Sequence, residues 1–233
     1  GDIAHDKNSE DDFRWYMETN EKTDIEYWFE ITGNHDMKDY DNYLKFIKKP
    51  PYYSVAKGNL LILFMSDENR RPPTYISDEA FRWWKRMVIK NQDKIIITVT
   101  HGYPENSGLF LASMVKSRTI LDSHRFEDVM RKYRVDLWLS GHTHIPSIFG
   151  FNECRKKEFN NTTFINISRI RRDMGFNPES RIIILKHNSN LLTVKNRDHH
   201  TGKYIKRREV QIELPVPFIQ DSRKPELLLP KKD

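Results

Sequence analysis

The sequence has 233 residues, of which 37% are hydrophobic and 12% aromatic, enough for one large globular domain with a packed core or two small ones. No apolar run approaches the roughly 18 residues of a membrane-spanning helix, and the single Cys154 excludes an internal disulfide framework and a cysteine-rich zinc module. The net charge of +6 is uneven: residues 1–150 hold 21 Lys+Arg against 23 Asp+Glu, or −2, and residues 151–233 hold 18 against 10, or +8. None of these features assigns a cellular compartment.

The first half of the chain alternates predicted helices and strands. "DDFRWYMET" predicts a helix and "YWFEIT" a short apolar strand. "YDNYLKFIKK" predicts a second helix, ended by Pro50 and Pro51. One face of that helix is expected to carry Tyr40, Tyr43, Leu44 and Ile47. "YYSV" and "LLILFMS", separated by "KGN", predict two strands joined by a tight turn.

The second half continues the alternation and then becomes richer in strands. Ser77 is expected to cap the helix "DEAFRWWKRMVIKN", which the buried strand "KIIITVT" follows. "HRFEDVMRKY" predicts a helix and "VDLWLS" a strand. Further strands are expected at "TTFINIS", "RIIILKH" and "LLTVKN".

Polar clusters directly follow three of these strands: "GNHD" after "YWFEIT", "HGYP" after "KIIITVT" and "GHTH" after "VDLWLS". In α/β sheets, ligands collect at the carboxyl ends of strands, where loops from separate strands converge. Gly33 and Gly141 are expected to let the backbone turn sharply and bring the next side chain close to a ligand. The candidate side chains in these loops are Asn34, His35, Asp36, His101, His142 and His144.

These side chains suit a metal ion, because imidazole, amide and carboxylate groups are ligands for zinc, manganese or iron. His142 and His144 are two residues apart, so one strand or turn would point both in the same direction. A mixed nitrogen and oxygen set without cysteine leaves positions open for water and substrate. A lone His101 after a strand would more often be a hydrogen-bonded structural residue, but three such loops together favour a catalytic metal site.

The order of "GNHD", "HGYP" and "GHTH" resembles the signature of the calcineurin-like metallophosphoesterases. The opening "GD" is similar to that family's second motif, Gly-Asp-x-x-(Asp or Asn), at a comparable distance before "GNHD". The resemblance covers roughly residues 1–150 and is specific where "GNHD" is followed by "GHTH". His5 stands where the family usually has Asp or Asn, either as a further ligand or as a polar neighbour of the ligands.

The resemblance implies an α/β fold in which two mixed β-sheets flanked by helices form an α/β/β/α sandwich. The family's first motif, Asp-x-His, would lie upstream of Gly1, since Asp2 and His5 have one residue too many between them. The first strand, with two ligands of one metal, is therefore expected to be missing. We expect one domain, incomplete at its N-terminus, over residues 1–213 and an extended tail rich in proline and charge over residues 214–233.

The resemblance also implies a role for each site residue. The matches to metal ligands are Asp2, Asn34, His101, His142 and His144. Asp2 matches the carboxylate that bridges both metals, and His144 a ligand of the first metal, while the remaining three match ligands of the second. The candidate catalytic residues are His35, which matches the histidine beside the leaving group, and Asp36, which matches the carboxylate that orients it.

The implied function is hydrolysis of a phosphate ester, a phosphomonoester or a phosphodiester, by a metal-activated hydroxide at a dinuclear metal centre. The cofactors would be two divalent or trivalent transition-metal ions such as manganese, iron or zinc. One alternative is a nuclease or nucleic-acid-binding module that uses the basic residues 151–233, although a solvated mixed-charge face explains that charge more simply. The other is a non-catalytic remnant that keeps the fold. Tyr103, Arg70, Arg71 and residues 105–118 are expected to shape the substrate pocket.

Overall fold

The computed structural model describes residues 1–5, 9–109, 116–170 and 175–230. In this part of the chain the α-helices are α1 (Glu10–Glu21), α2 (Tyr40–Phe46), α3 (Asp78–Lys90) and α4 (His124–Met130). The β-strands are β1 (Tyr52–Lys57), β2 (Leu60–Met65), β3 (Ile95–Thr100), β4 (Leu137–Ser140), β5 (Glu153–Lys156), β6 (Thr162–Asn166), β7 (Glu179–Leu185), β8 (Ser189–Asp198), β9 (Val210–Phe218) and β10 (Glu226–Leu228). None of the described helices has the length and apolar character that a membrane crossing requires.

The strands form two sheets. The larger is seven-stranded and mixed, in the order β10-β1-β2-β3-β4-β6-β5. Its central strands β2, β3, β4 and β6 are parallel neighbours, while antiparallel pairs occupy both margins. The smaller sheet is antiparallel, in the order β7-β8-β9. The carboxyl ends of the four parallel strands therefore lie along one edge of the larger sheet, where a ligand site is expected.

One face of the larger sheet packs against α3 and α4. Helix α3 begins at Ser77, whose side chain accepts a hydrogen bond from the Ala80 N–H, as the sequence predicts. Two tryptophans in this layer keep their indole N–H groups satisfied: Trp84 donates to Thr98 at 3.0 Å, and Trp138 donates to Thr100 at 2.7 Å. Both rings are fully buried, so these bonds remove the cost of burying an unpaired donor.

The opposite face of the larger sheet packs against the smaller sheet. Leu60, Ile97 and Leu139 of the larger sheet share one core cluster with Leu192 and Ile212 of the smaller one. On the margin, α1 and α2 form a separate small cluster built around two buried aromatic rings. The structure thus confirms an α/β fold with two sheets and flanking helices.

The predicted strand "YWFEIT" is wrong, because residues 27–32 have no regular secondary structure. Among the described residues, one backbone hydrogen bond links this stretch to a neighbouring segment, from the Asp67 N–H to the Thr32 carbonyl at 3.1 Å. Side chains take the place of a ladder: the Tyr53 hydroxyl donates to the Glu30 carbonyl at 2.7 Å. Apolar packing on Phe64 then holds the segment extended without a strand partner.

The other predicted helices and strands are confirmed, and β5, β9 and β10 are additional. The boundary expected between residues 213 and 214 falls inside β9, and β10 pairs with β1. Strand β9 contains Pro215 and Pro217, which it tolerates as the edge strand of its sheet. In α2, Tyr43 and Ile47 are buried as expected, but Leu44 is exposed because the helix is too short to bury a wide stripe.

Candidate metal centre

Three side chains converge at the carboxyl edge of the larger sheet. His101 directly follows β3, and His142 follows β4 after one glycine. Asp2 reaches the same place from the start of the chain. One potential ligand atom from each of these three residues lies within 4.8 Å of the other two. The parallel register of β3 and β4 places the two histidines side by side, with ring centroids 4.6 Å apart.

Acceptor oxygens from two directions point at the same nitrogen of His101. The Nε2 atom is 3.2 Å from an oxygen of Asp2 and 3.2 Å from the side-chain oxygen of Asn34. One imidazole N–H cannot serve both acceptors with good geometry. A cation placed among them would serve all three groups, because each can offer a lone pair.

His142 offers the strongest indication of a missing ligand. It is buried, and its Nε2 has no hydrogen-bond partner among the described residues. Burial, together with the nearby charges of His101 and Arg118, lowers the pKa of His142 to about 3. The ring is therefore neutral at pH 7, and its free lone pair suits a metal ion. An unpaired buried acceptor is costly, so a bound cation would remove that cost.

Asp2 is ionised in this setting. Burial opposes its ionisation, but the hydrogen bond and charge of His101 and a hydrogen bond from the His35 backbone N–H outweigh burial and hold the pKa of Asp2 below its usual value. Its backbone has a φ of +60°, and His142 a φ of +65°. Left-handed conformations at non-glycine residues cost energy and cluster at functional sites. The donor set and these conformations fit a transition-metal ion.

Asp36 organises the backbone around Asp2 rather than the ring of His35. Its buried carboxylate accepts hydrogen bonds from the backbone N–H groups of Asp2, Ala4 and Gly33 at 2.6, 2.9 and 2.8 Å. Burial raises its pKa. The expected orienting contact with His35 is replaced by these three, because the short helical turn at residues 36–38 directs the Asp36 side chain inward.

The ring of His35 is held by two other residues. Its Nδ1 lies 2.7 Å from the backbone carbonyl of His5 and 3.0 Å from the Lys38 ammonium, which also donates to that carbonyl at 2.9 Å. The rings of His5 and His35 stack at a centroid distance of 5.0 Å. His5 therefore stands beside His35 and outside the cluster formed by Asp2, His101 and His142. These contacts leave Nε2 as the nitrogen of His35 that can meet a substrate.

The two glycines of the polar clusters differ in the space around them. A Cβ on Gly33 would lie 2.3 Å from Asp2 Oδ1 and 2.7 Å from His101 Cε1, so the close packing of the centre requires glycine there. A Cβ on Gly141 would come no closer than 3.9 Å to any described atom outside its chain neighbours, and Gly141 does not have a positive φ. The expectation of a glycine-dependent approach is thus supported at Gly33 and not at Gly141.

Other expected site residues are not members of this three-residue cluster. His144 is exposed, with a φ of +57°, and does not join the cluster of Asp2, His101 and His142. Burial and the nearby charges of Arg169, Arg118 and His101 lower the pKa of His144, and the charge of Asp2 opposes them, so His144 lies near the cluster. Tyr103 is fully buried in the core, so it does not line an open pocket. Arg70 and Arg71 are exposed, and residues 110–115 of the expected pocket segment lie outside the described part of the chain.

Asp67 is a residue of this region that the sequence analysis missed. It is buried where the chain leaves β2, accepts a hydrogen bond from the Thr74 backbone N–H at 3.2 Å, and senses the charges of His101 and Asp2. Burial raises the pKa of Asp67 to about 6. Its signal in the sequence was an acidic residue that follows the apolar strand "LLILFMS".

No match was found among curated proteins. Among solved structures, a purple acid phosphatase isolated from yellow lupin (Lupinus luteus) seeds is similar with a TM-score of 0.46 and 15% sequence identity, covering 70% of this chain and 32% of that one. The chain thus spans about a third of that protein's length.

The family comparison concerns the part of the chain that carries the cluster. A sequence model of the calcineurin-like phosphoesterases matches residues 1–146, a segment that runs from Asp2 beyond His144. The match extends over more than half of the 233 residues. The chain therefore belongs to the calcineurin-like phosphoesterase family.

Proposed function

We propose that this chain hydrolyses a phosphomonoester or phosphodiester, with two divalent or trivalent transition-metal ions as cofactors. The single observation that carries the proposal is the convergence of Asp2, His101 and His142 within 4.8 Å, with the buried Nε2 of His142 unpaired. Membership in a phosphoesterase family supports the reaction class.

The residues that would hold a metal ion are Asp2, Asn34, His101 and His142, with His144 as a ligand of a second ion. A metal ion bound there supplies Lewis-acid polarisation of a phosphoryl oxygen. Asp2 contributes negative charge that is already ionised, and His142 a ring that is already neutral, so neither group must change its protonation at pH 7 to bind a cation. His101 and His142 are buried, whereas Asp2 and Asn34 are partly exposed, so water and a substrate can reach the centre.

His35 is the proposed proton donor to the leaving group. Because its Nδ1 is engaged by the His5 carbonyl and Lys38, the proton would be transferred from Nε2. The stacked ring of His5 limits rotation of His35 and keeps that nitrogen directed away from the backbone. Asp36 supports this arrangement indirectly, through the backbone of Gly33 and Asp2.

The test measures metal content and turnover in the same preparations. The purified chain should bind a transition metal and hydrolyse an aryl phosphate mono- or diester only when metal is present. His142→Ala should lose metal and activity together, whereas His200→Ala, which changes an exposed loop histidine, should lose neither. Well-folded protein that contains no metal, takes up no added manganese, iron or zinc, and shows no turnover would overturn the proposal.

A second variant separates catalysis from metal binding. His35→Ala should leave metal content nearly unchanged and lower turnover by roughly 10²–10⁴-fold, the usual effect of removing a positioned acid or base. The loss should be greater for substrates with poor leaving groups, which need protonation. An equal loss for good and poor leaving groups would contradict the acid role of His35.

A further inference from the structure

An exposed apolar segment begins four residues after His144. Ile148, Phe149 and Phe151 are 51%, 49% and 45% exposed. Phe149 makes an edge-on contact with Phe176 at a centroid distance of 5.4 Å, which leaves part of its ring facing solvent. Phe149 and Phe151 thus present aromatic surface to solvent in the loop that follows His142 and His144, where a flat partner can stack on it.

A basic turn contacts this segment. Arg208 donates a hydrogen bond to the Ile148 carbonyl at 2.7 Å, and its guanidinium lies against Gly150. The two residues before it, Lys206 and Arg207, are exposed in the same short helical turn. We call Phe149, Phe151, Lys206, Arg207 and Arg208 the aromatic–basic surface.

Buried polar contacts fix the position of this surface. The Glu179 carboxylate accepts hydrogen bonds from the backbone N–H and hydroxyl of Ser147 at 3.0 Å each. Asn196 of β8 donates to the same carboxylate at 3.3 Å, and its carbonyl accepts from the Ile205 N–H at 2.9 Å. The turn after His144 and the turn before Lys206 are therefore tied to the same strand.

Basic side chains near the surface outnumber acidic ones. Glu153 pairs with the buried Arg181 at 3.3 Å, and the Arg181 guanidinium also donates to the Arg208 carbonyl. Residues 145–152 contain no acidic side chain. Glu209 directly follows Arg208 and is exposed, so residues 206–209 carry three positive charges against one negative charge, in agreement with the +8 net charge of residues 151–233.

We infer that the aromatic–basic surface binds single-stranded nucleic acid and that the substrate of the adjacent centre is a phosphodiester of such a strand. The inference rests on the proposed function for the identity of the reaction. Proteins that bind single strands without sequence preference combine cationic side chains for the phosphates with aromatic side chains for the bases. All five residues lie beyond residues 1–146, so the family match by itself does not account for them.

The test is binding of a fluorescein-labelled 12-nucleotide oligothymidine, followed by fluorescence anisotropy in EDTA so that no hydrolysis occurs. The chain should bind it, with an affinity that falls steeply with salt. The double variant Lys206→Glu/Arg207→Glu should bind at least about tenfold more weakly, and the salt dependence of log K should lose roughly 1.4 units of slope. Phe149→Ala should weaken binding by roughly five- to a hundredfold.

A matched control variant reverses two positive charges on a different surface of the molecule. Arg82→Glu/Lys85→Glu changes two exposed basic residues on α3, across the larger sheet, and should leave oligonucleotide affinity within about twofold. Absence of oligothymidine binding, or an equal loss in both double variants, would overturn the inference. Unchanged affinity of Phe149→Ala would overturn it as well, since binding would then not involve stacking.

Hydrolysis of a small aryl phosphodiester distinguishes failure of this inference from failure of the proposed function. Lys206→Glu/Arg207→Glu should keep that activity, because the small substrate does not reach the aromatic–basic surface. Aryl phosphodiester hydrolysis without oligonucleotide binding would refute the inference alone. Oligonucleotide binding by a chain that lacks metal-dependent hydrolysis would refute the proposed function and the substrate assignment, and keep the binding surface.

Discussion

The candidate centre is assembled from two regions that are held in different ways. His101 and His142 stand at the ends of β3 and β4, whose backbone positions are fixed by a parallel ladder inside a seven-stranded sheet. Asp2 and Asn34 come from segments to which the structure assigns no strand. On this side, backbone N–H groups are satisfied by one buried carboxylate, Asp36, instead of by neighbouring strands.

The difference determines where the site is sensitive to substitution. A ladder distributes its stabilisation over many backbone hydrogen bonds, so no single side chain is essential to the position of His101 or His142. The Asp2 side concentrates three hydrogen bonds on one carboxylate and requires close contact at Gly33. Substitutions in the second region should therefore be far more damaging than comparable ones in the first.

The largest effect is expected for Asp36→Ala. It would leave the N–H groups of Asp2, Ala4 and Gly33 without their acceptor, at roughly 1–3 kcal/mol for each buried unpaired donor. Urea unfolding should show a loss of about 3 kcal/mol or more. Asp41→Ala, an exposed carboxylate on α2, provides the control and should change stability by less than about 0.5 kcal/mol. Equal stability of the two variants would contradict the organising role of Asp36.

A pair of glycine variants compares the two regions directly. Gly33→Ala places a methyl group against Asp2 and His101 and should weaken metal affinity by roughly 10- to 100-fold, as disturbing the groups that orient metal ligands usually does. Gly141→Ala meets only ordinary contacts near 3.9 Å and should retain affinity within a few-fold. Competition titration with a metal-sensitive dye measures both. A greater loss of metal affinity in Gly141→Ala than in Gly33→Ala would contradict the expected difference between the two regions.

The smallest effect concerns the charge of Asp67. Its pKa in the folded chain, about 6, lies above the ordinary value of 3.8, so folding favours the neutral carboxyl. The resulting penalty on stability accrues as pH rises from 3.8 to about 6 and is complete above that range. Asp67→Asn removes the ionisation, so its stability relative to the parent should increase by about 1 kcal/mol between pH 5 and pH 8.

This measurement uses metal-free protein in EDTA, unfolded by urea at each pH. The exposed Asp93→Asn gives the baseline for an aspartate-to-asparagine change. A stability difference between Asp67→Asn and the parent that stays constant, or declines, from pH 5 to pH 8 would show that burial does not raise the pKa of Asp67. Such a result would also indicate that the charge of His101, at the end of β3, compensates Asp67.

Part of the fold and part of the candidate centre can be predicted from the local sequence. The apolar strands, the cap at Ser77 and the polar clusters after β3 and β4 were predictable, because periodicity and turn residues are properties of neighbouring positions. That His101 and His142 would meet also follows, because parallel strands end along the same edge of a sheet.

Only the tertiary structure decided how buried polar groups find their partners. Residues 27–32 have the composition of a strand, yet in the described part of the chain no strand pairs with them, and the Glu30 carbonyl accepts from the Tyr53 hydroxyl instead. Asp36 accepts from distant backbone N–H groups rather than from the adjacent His35. Each of these hydrogen bonds joins residues some 20 to 35 positions apart in the sequence. The pattern of neighbouring residues carries no information on such contacts.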